Sequence, residues 1–415
     1  MTAEAEAEAR KPSVLWLTSS YPRYQNDSAS VFLRYLAEAL AKQNFDIRVL
    51  APDHPDQCSY DSAVSLQHFR YSFNRRKQAL AYGSGILPNL RVRPTLIFQV
   101  PGFVAAMFFR AAREIVRDKP TLLHAHWIFP QGTLAVVLGK LFKIPVLVTA
   151  HGADAFGLTG PGLAAIKRWT VQQASAWTSN TQATAGAVAC KHCGAVILPM
   201  GIPFDCFAAV SKPIVTDKSH PEKYVVLFIG RLVEKKGVTD LIMACARLPN
   251  ELHERVELRI IGDGEERQAL EMQALRLGIS HHVTFLGRIA NHELPDHYAN
   301  ADIFVAPSIV DSSGDTEGQG VILLEAMAAG VPVVSTRTGG IGEVIEHAVN
   351  GILVEPNCPE QLAEALTTLI QDRQYRQRLS DAGKITASKY DWKAVSETFA
   401  TVYQKLIPDC KYGCG

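Results

Sequence analysis

A chain of 415 residues exceeds what one hydrophobic core usually serves and suits two domains of ordinary size. Hydrophobic residues make up 47% and the formal charge is +1, which describes a folded globular chain and excludes a global bias toward nucleic acid. The leading MTAEAEAEAR is acidic and lacks the apolar centre of a signal peptide, so it is expected to be disordered; no uninterrupted apolar run approaches the ~20 residues that span a bilayer.

In chain order, Ser13–Thr18 is an apolar run bounded by turn residues and reads as a buried strand. Tyr21–Ser30 is a polar loop, Val31–Lys42 carries helical periodicity through Leu33, Leu36, Ala37 and Leu40, and Ile47–Ala51 is the next strand. Strand, loop, helix, strand predicts a parallel sheet. No Gly-x-Gly-x-x-Gly follows the first strand, which argues against a dehydrogenase. From Ser65 to Lys119 ten basic residues meet only Glu114 and Asp118, a local charge of +8, with Phe69, Tyr71, Phe73, Phe98, Phe103, Phe108 and Phe109 interleaved. That mixture suits either a surface resting on anionic lipid or the solvated face of a core helix.

Thr121–Trp127 and Pro145–Ala150 read as further strands, the second followed by His151-Gly152-Ala153-Asp154. Ligands of open parallel sheets collect at the carboxyl ends of strands, so His151 is a candidate site residue, with His124 and His126 as further candidates. Cys190 and Cys193, with Cys410 and Cys414, have loose spacing for zinc. With a cytoplasmic location expected, they are read as ordinary thiols rather than disulfides.

Ala208–Lys223 has prolines, serine and lysines without apolar periodicity, as a linker should. Tyr224–Ile229 is a strand; Gly230–Gly237 follows with Arg231 and Lys236, then a helix from Val238. Glu257–Ile261, Val283–Gly287 and Ile303–Pro307 are further strands. The stretch Asp311–Ile345 carries Glu317 and Glu325 eight residues apart; on a continuous helix they would stand roughly 12 Å apart along the axis and roughly 80° apart around it. Gly318 and Gly320 at a helix start would expose amides that favour anions, and Glu325 sits in an apolar run where a carboxylate requires a donor. After a strand at Val331–Ser335, Gly339-Gly340 reads as a second helix start.

The Glu-x7-Glu pattern in EGQGVILLEAMAAGVPVVSTRTGG, the Gly-Asp-x-Glu-Gly at Gly314–Gly318, the GRLVEKKG after a strand and the TAHGAD segment together resemble the retaining glycosyltransferases of family 4. The resemblance implies the GT-B architecture, an α/β fold of two Rossmann-like domains with parallel sheets facing across a cleft. It places the first, acceptor domain at 11–207, ending with LPMGIPFDCF, and a linker at 208–223. The nucleotide-sugar domain follows at 224–390, and a C-terminal segment at 391–415 has the helix Trp392–Leu406 crossing back to the first domain.

Carried over residue by residue, Arg231 and Lys236 pair with the donor diphosphate, helped by amides near Gly318, Gly320, Val321 and Ile322. Glu317, with amides of Gln319 and Gly320, orients the sugar, and Glu325 grips ribose hydroxyls. Leu286 and Gly287 border the base, His151 lies beside the transferred sugar, and His126 and Asp154 lie on the acceptor side. The implied reaction transfers a hexose from a UDP- or GDP-sugar to a glycan or lipid-linked acceptor, with no metal and no further cofactor. The resemblance of the Gly-Asp-x-Glu-Gly variant is to exopolysaccharide-building members. A sugar-nucleotide epimerase of the same shape and a non-catalytic membrane-associated partner protein remain as alternatives.

Overall fold

The computed structural model describes residues 11–83, 85–157, 160–188, 190, 193–210 and 223–407. Its strands are β1 (Ser13–Leu17), β2 (Asp46–Pro52), β3 (Ser65–Phe69), β4 (Leu122–His126), β5 (Val146–Ala150), β6 (Ala176–Ser179), β7 (Val196–Ile197), β8 (Tyr224–Ile229), β9 (Val256–Ile261), β10 (Val283–Gly287), β11 (Ile303–Ala306), β12 (Val333–Thr336) and β13 (Ile352–Val354). Two parallel sheets result, ordered β3-β2-β1-β4-β5-β6-β7 and β10-β9-β8-β11-β12-β13. Central strands such as β5 are buried at every position and, apart from Thr149, apolar, as expected where helices cover both faces. In the first sheet the chain leaves β1 toward β2 and returns to its other side as β4; in the second, β8 and β11 stand in the same relation. These are the topological switch points, and ligands of such sheets sit at the carboxyl ends there.

The chain divides into two compact units. The first contains residues 11–180 and 185–198 and also the terminal segment from Lys393. The helix Trp392–Leu406 buries Phe399 and Tyr403 in that unit. The Tyr403 hydroxyl accepts from Trp16 Nε1 at 3.0 Å and lies 2.6 Å from His124 Nδ1.

The second unit takes Thr181–Thr184 and Pro199–Trp392. The stretch from Pro199 to Phe207, read from sequence as the end of the first domain, thus lies in the second. Ile202 and Phe207 are buried in its core, Phe207 against Tyr298 with ring centroids 5.5 Å apart. Composition marks a linker but does not reveal which core takes the apolar residues beside it. Residues 1–10, residues 211–222 of the linker, and Cys410 and Cys414 lie outside the described residues. Cys190 and Cys193 are joined as a disulfide, which corrects the expectation of free thiols.

The helix Val100–Asp118, preceded by the turn Pro94–Gln99, turns Phe103, Met107, Ala111 and Ile115 inward. Its other side leaves Phe98 84% and Phe109 70% exposed. Among the described residues the stretch Pro94–Asp118 is, by length and composition, long and apolar enough to cross a membrane, although Gln99 and Arg110 interrupt it and it is not an unbroken apolar run.

Candidate active site

In the second unit, β8 runs into Gly230 and Arg231, then a turn at Glu234–Lys236 that ends on Gly237 with φ 63°. A Cβ at Gly237 would stand 1.9 Å from the Pro307 carbonyl oxygen, so only glycine lets this turn lie against the end of β11. The approach brings two lysines to the loop that follows β11. Lys235 Nζ bonds Asp315 Oδ2 at 2.9 Å and the Thr316 carbonyl at 3.2 Å. Lys236 Nζ bonds Glu317 Oε2 at 2.5 Å. Burial alone would raise the Glu317 carboxyl, but Lys236, Lys235 and Arg231 override it and hold the group down at about 2. Glu317 is therefore ionised at any physiological pH, within a cluster of three cations.

The helix Val321–Ala328 starts immediately afterward. Gly320 precedes it with φ 77°, and no side chain caps its first turn. The leading amides and the positive end of the helix dipole make an anion-favouring surface. The next glycine pair closes the loop from behind: the Gly340 amide donates to the Glu317 carbonyl at 3.1 Å. A single 3-10 turn, Ile341–Glu343, follows instead of the expected helix.

Glu325 lies in the second turn of the helix, half-buried, and accepts from Tyr298 Oη at 2.9 Å. Burial pushes its carboxyl up to about 7, with the Tyr298 hydrogen bond opposing. Glu317 is in the loop and not on the helix, so helical arithmetic does not describe the spacing of the two glutamates. Gln319 is buried, and its side chain is spent on the Met200 backbone, accepting at 2.8 Å and donating at 2.9 Å. Only its main chain remains for a ligand. Leu286, at the end of β10, is 39% exposed, and the Gly287 carbonyl accepts from Gly262 N–H at 2.7 Å.

In the first unit, His151 follows β5. Its Nε2 lies 3.1 Å from His126 Nδ1, and its ring packs against Phe32 and Trp127 at 5.2 Å each. His124, His126 and Asp154 are all buried. Asp154 accepts from the Ile128 amide at 2.8 Å and the His151 amide at 3.0 Å, so it shapes the loop. His126 and Asp154, expected on the acceptor side, are thus both buried beside His151, Asp154 bonding the loop's amides and His126 Nδ1 facing the His151 ring. His124 is likewise occupied, by Tyr403 and by Thr149 at 2.7 Å.

The structure thus gathers Arg231, Lys236, Glu317, Gly318 and Gly320 around one helix start, with Glu325 one turn further on. Two residues escaped the sequence reading. Lys235 had a signal, its adjacency to Lys236; Tyr298 had none, since its role depends on a contact across 27 positions.

Two Rossmann-like parallel sheets, with cations and helix-start amides converging at the carboxyl ends of β8 and β11, define the class as GT-B glycosyltransferases. Solved structures of similar fold include sucrose-phosphate synthase from Thermosynechococcus elongatus, with TM-score 0.75 at 20% identity over 95% of this chain and 99% of that one. Anabaena HepE in complex with UDP-glucose aligns with TM-score 0.69 at 19% identity, over 95% of this chain and 100% of that one.

The chain belongs to glycosyltransferase family 4. Residues 29–204 match the family model described as Glycosyltransferase Family 4, and residues 214–386 match Glycosyl transferases group 1. Among curated relatives, the GDP-mannose-dependent alpha-(1-6)-phosphatidylinositol monomannoside mannosyltransferase of Mycobacterium tuberculosis is 36% identical over 189 residues. That match takes in 45% of this chain and spans less than half of the relative, 46%.

Proposed function

We propose that this enzyme is a retaining glycosyltransferase that moves a hexose from a nucleotide-sugar to a hydroxyl of a glycan or lipid-linked acceptor. The observation that carries the reading is the Lys236–Glu317 pair at the uncapped start of the helix Val321–Ala328. A departing diphosphate gains negative charge as the bond from the sugar carbon to its oxygen breaks. Lys236, Arg231 and the leading helix amides are fixed donors for that charge. The acceptor oxygen bonds the same face of the sugar carbon, and its proton passes to the departing phosphate oxygen. Glu317, kept ionised, receives hydrogen bonds from sugar hydroxyls, Glu325 receives those of the ribose, and Leu286 borders the base. His151 helps position the sugar.

The likeness to HepE, described in complex with UDP-glucose, and to a GDP-mannose-dependent enzyme supports a UDP- or GDP-hexose as donor. Thermal stabilisation across a panel of nucleotide-sugars tests this; every real ligand raises the melting temperature, and indifference to the whole panel rejects the reading. Lys236→Ala should cut turnover about a hundredfold or more, the scale of one lost charge-stabilising donor. Near-normal turnover would remove it from the site. Because protein cations do the work of a Lewis acid here, turnover should survive EDTA, and its loss would show a metal requirement.

A lipid-linked acceptor agrees with the first unit's surface. Ile97, Phe98, Phe109 and Val116 are exposed, and so are Arg70, Arg76, Lys77, Arg91, Arg93 and Arg113. Aromatic side chains beside cations suit peripheral contact with an anionic bilayer, at the inner face of the cell membrane. The protein should sediment with phosphatidylglycerol vesicles at low salt, leave them at high salt, and bind less after Phe98→Asp with Phe109→Asp. Equal sedimentation of wild type and the double variant would reject this surface.

A further inference from the structure

Three side chains that suit a metal ion come together at the amino ends of β9 and β10, away from the carboxyl ends where the candidate active site lies. Glu254 stands in the turn before β9, and His281 and His282 belong to the 3-10 turn Ser280–His282 that leads into β10. One ligand atom from each, a carboxylate oxygen and two ring nitrogens, lies within 4.8 Å of the other two. The two imidazole rings stand 3.9 Å apart between centroids, and His282 Nε2 lies 3.8 Å from Glu254 Oε1. We propose that Glu254, His281 and His282 bind one borderline divalent ion of the zinc class, which clasps the edge strand β10 to β9. The ion has no part in transfer, and the site does not rest on the glycosyltransferase reading.

The spacing fits such an ion without rebuilding the backbone. An ion at the centre of a triangle with sides of 4.8 Å is about 2.8 Å from each corner, and zinc holds nitrogen and carboxylate oxygen at about 2.0–2.2 Å. Each ligand atom therefore moves inward by at most about 0.8 Å. The side chain of Glu254 is 82% exposed and His281 is exposed too, so both have room for that move, while His282, at 13%, anchors the set. The 3.8 Å from His282 Nε2 to Glu254 Oε1 is too long for a hydrogen bond, yet near the roughly 3.4 Å between two ligands of a tetrahedral ion. Two imidazoles with one carboxylate are a donor set for zinc and ions of similar softness, whereas magnesium and calcium take oxygen ligands. An imidazole ligates through a bare lone pair. Burial, and His281 after it, holds His282 below its ordinary range against the pull of Glu254, so its ring is neutral at pH 7. Three protein ligands leave a fourth position to water.

Strand β10 is where a clasp counts. It is the outer strand of its sheet, hydrogen-bonded to β9, and none of its five residues is fully buried. Its pairing also shifts register between Phe285 and Gly287. An ion shared by the turns that enter β9 and β10 ties this weakly packed strand at its start. Arg231, Lys236 and Glu317 gather beyond the other ends of the strands, roughly 15–20 Å away, so loss of the ion leaves them in place.

The test uses the full chain without an affinity tag, stripped with EDTA, dialysed, and titrated with Zn2+ or Mg2+ by calorimetry. The wild type should take up Zn2+ at a site that Mg2+ does not fill. His281→Asn with His282→Asn should weaken that uptake about a hundredfold or more, and Glu254→Gln about tenfold, the scale of a metal site losing its support. Zn2+ at a hundredfold excess over its dissociation constant should raise the melting temperature of the wild type by about 5 °C or more and slow amide exchange in Val283–Gly287, with neither effect in the double variant. Turnover after EDTA should be the same in wild type and double variant. Equal Zn2+ binding by the two proteins places the ion elsewhere and overturns the proposal, as does no Zn2+ binding by the wild type. Equal affinity for Mg2+ overturns the class of ion, and a turnover that follows the bound Zn2+ overturns its separation from transfer. Should the double variant not fold, His281→Asn alone, at an exposed position, still decides.

Discussion

Glu317 and Glu325 have the same side chain in opposite surroundings. Three cations keep Glu317 ionised, whereas Glu325 has one hydroxyl donor and is pushed up to about 7. The ligand-free protein therefore stores a cost at Glu325. Its folded pKa lies above the ordinary value of 4.5, so the native state holds this proton more tightly than the unfolded chain. Its contribution is full below about pH 4.5 and is lost as pH rises through about 7, a swing on the order of 3 kcal/mol. Glu325→Gln should accordingly melt several degrees higher than wild type at pH 8 and nearly level with it at pH 4. On the function proposed above, the same variant should bind nucleotide-sugar more weakly, since an amide would replace the carboxylate assigned there to the ribose hydroxyls. A variant no more stable at pH 8 would show that the carboxylate is already satisfied. Sequence exposed these two acids because each sits among glycines or aliphatic residues that offer no reason for a charge. It could not expose Tyr298, because the partner of a half-buried carboxylate is a matter of packing.

At the scale of elements, loops rather than helices set the site. Gly339, with φ 52°, lies so close to the Glu317 carbonyl that a Cβ there would stand 1.9 Å away. Gly339→Ala should therefore displace the Glu317 loop, raise the donor KM about tenfold or more and lower the melting temperature, with strain of about 1–3 kcal/mol behind it. Unchanged donor KM would mean that the loop yields without moving Glu317. The regular elements were the legible part. The strand Tyr224–Ile229 and the helix Val31–Lys42 stand at the bounds their apolar patterns give. The loop from Asp311 to Gly320 was not legible. Its course is set by Lys235 and Lys236 across 80 and 81 positions, and no local periodicity reports such pairs. The second helix start was misread because Gly339 and Gly340 serve a close backbone approach, a use of glycine that looks the same in sequence as a helix boundary.

At the scale of the molecule, neither unit is one continuous run of chain. Thr181–Thr184 belongs to the second unit, where Glu343 accepts from the amides of Gln182 and Ala183 at 2.7 and 2.9 Å. The terminal residues from Lys393 belong to the first. The sequence showed two alternating strand–helix halves, which suffices for the fold class. It did not show that Thr181–Thr184 changes sides, since three polar residues and one alanine carry no hydrophobic pattern to follow. Tyr403→Phe tests how far the first unit depends on its distant terminus. The change strands the Trp16 N–H and a His124 nitrogen in a dry core, at about 1–3 kcal/mol for each orphaned group. Urea unfolding should report a loss on the order of 2–5 kcal/mol. A loss near zero would show that the contact is dispensable.

The closing helix also bears on the order of synthesis. The ribosome releases β1 to β7 early, and domains made first ordinarily fold first. Here the groove that Phe399 and Tyr403 fill stays open until this helix, encoded downstream of the second unit, has been translated. The nascent first half thus waits with Phe45 and Trp16 uncovered while the whole second unit is made, and a nonsense codon just before Lys393 leaves it permanently unsealed, a substrate for chaperones and proteases.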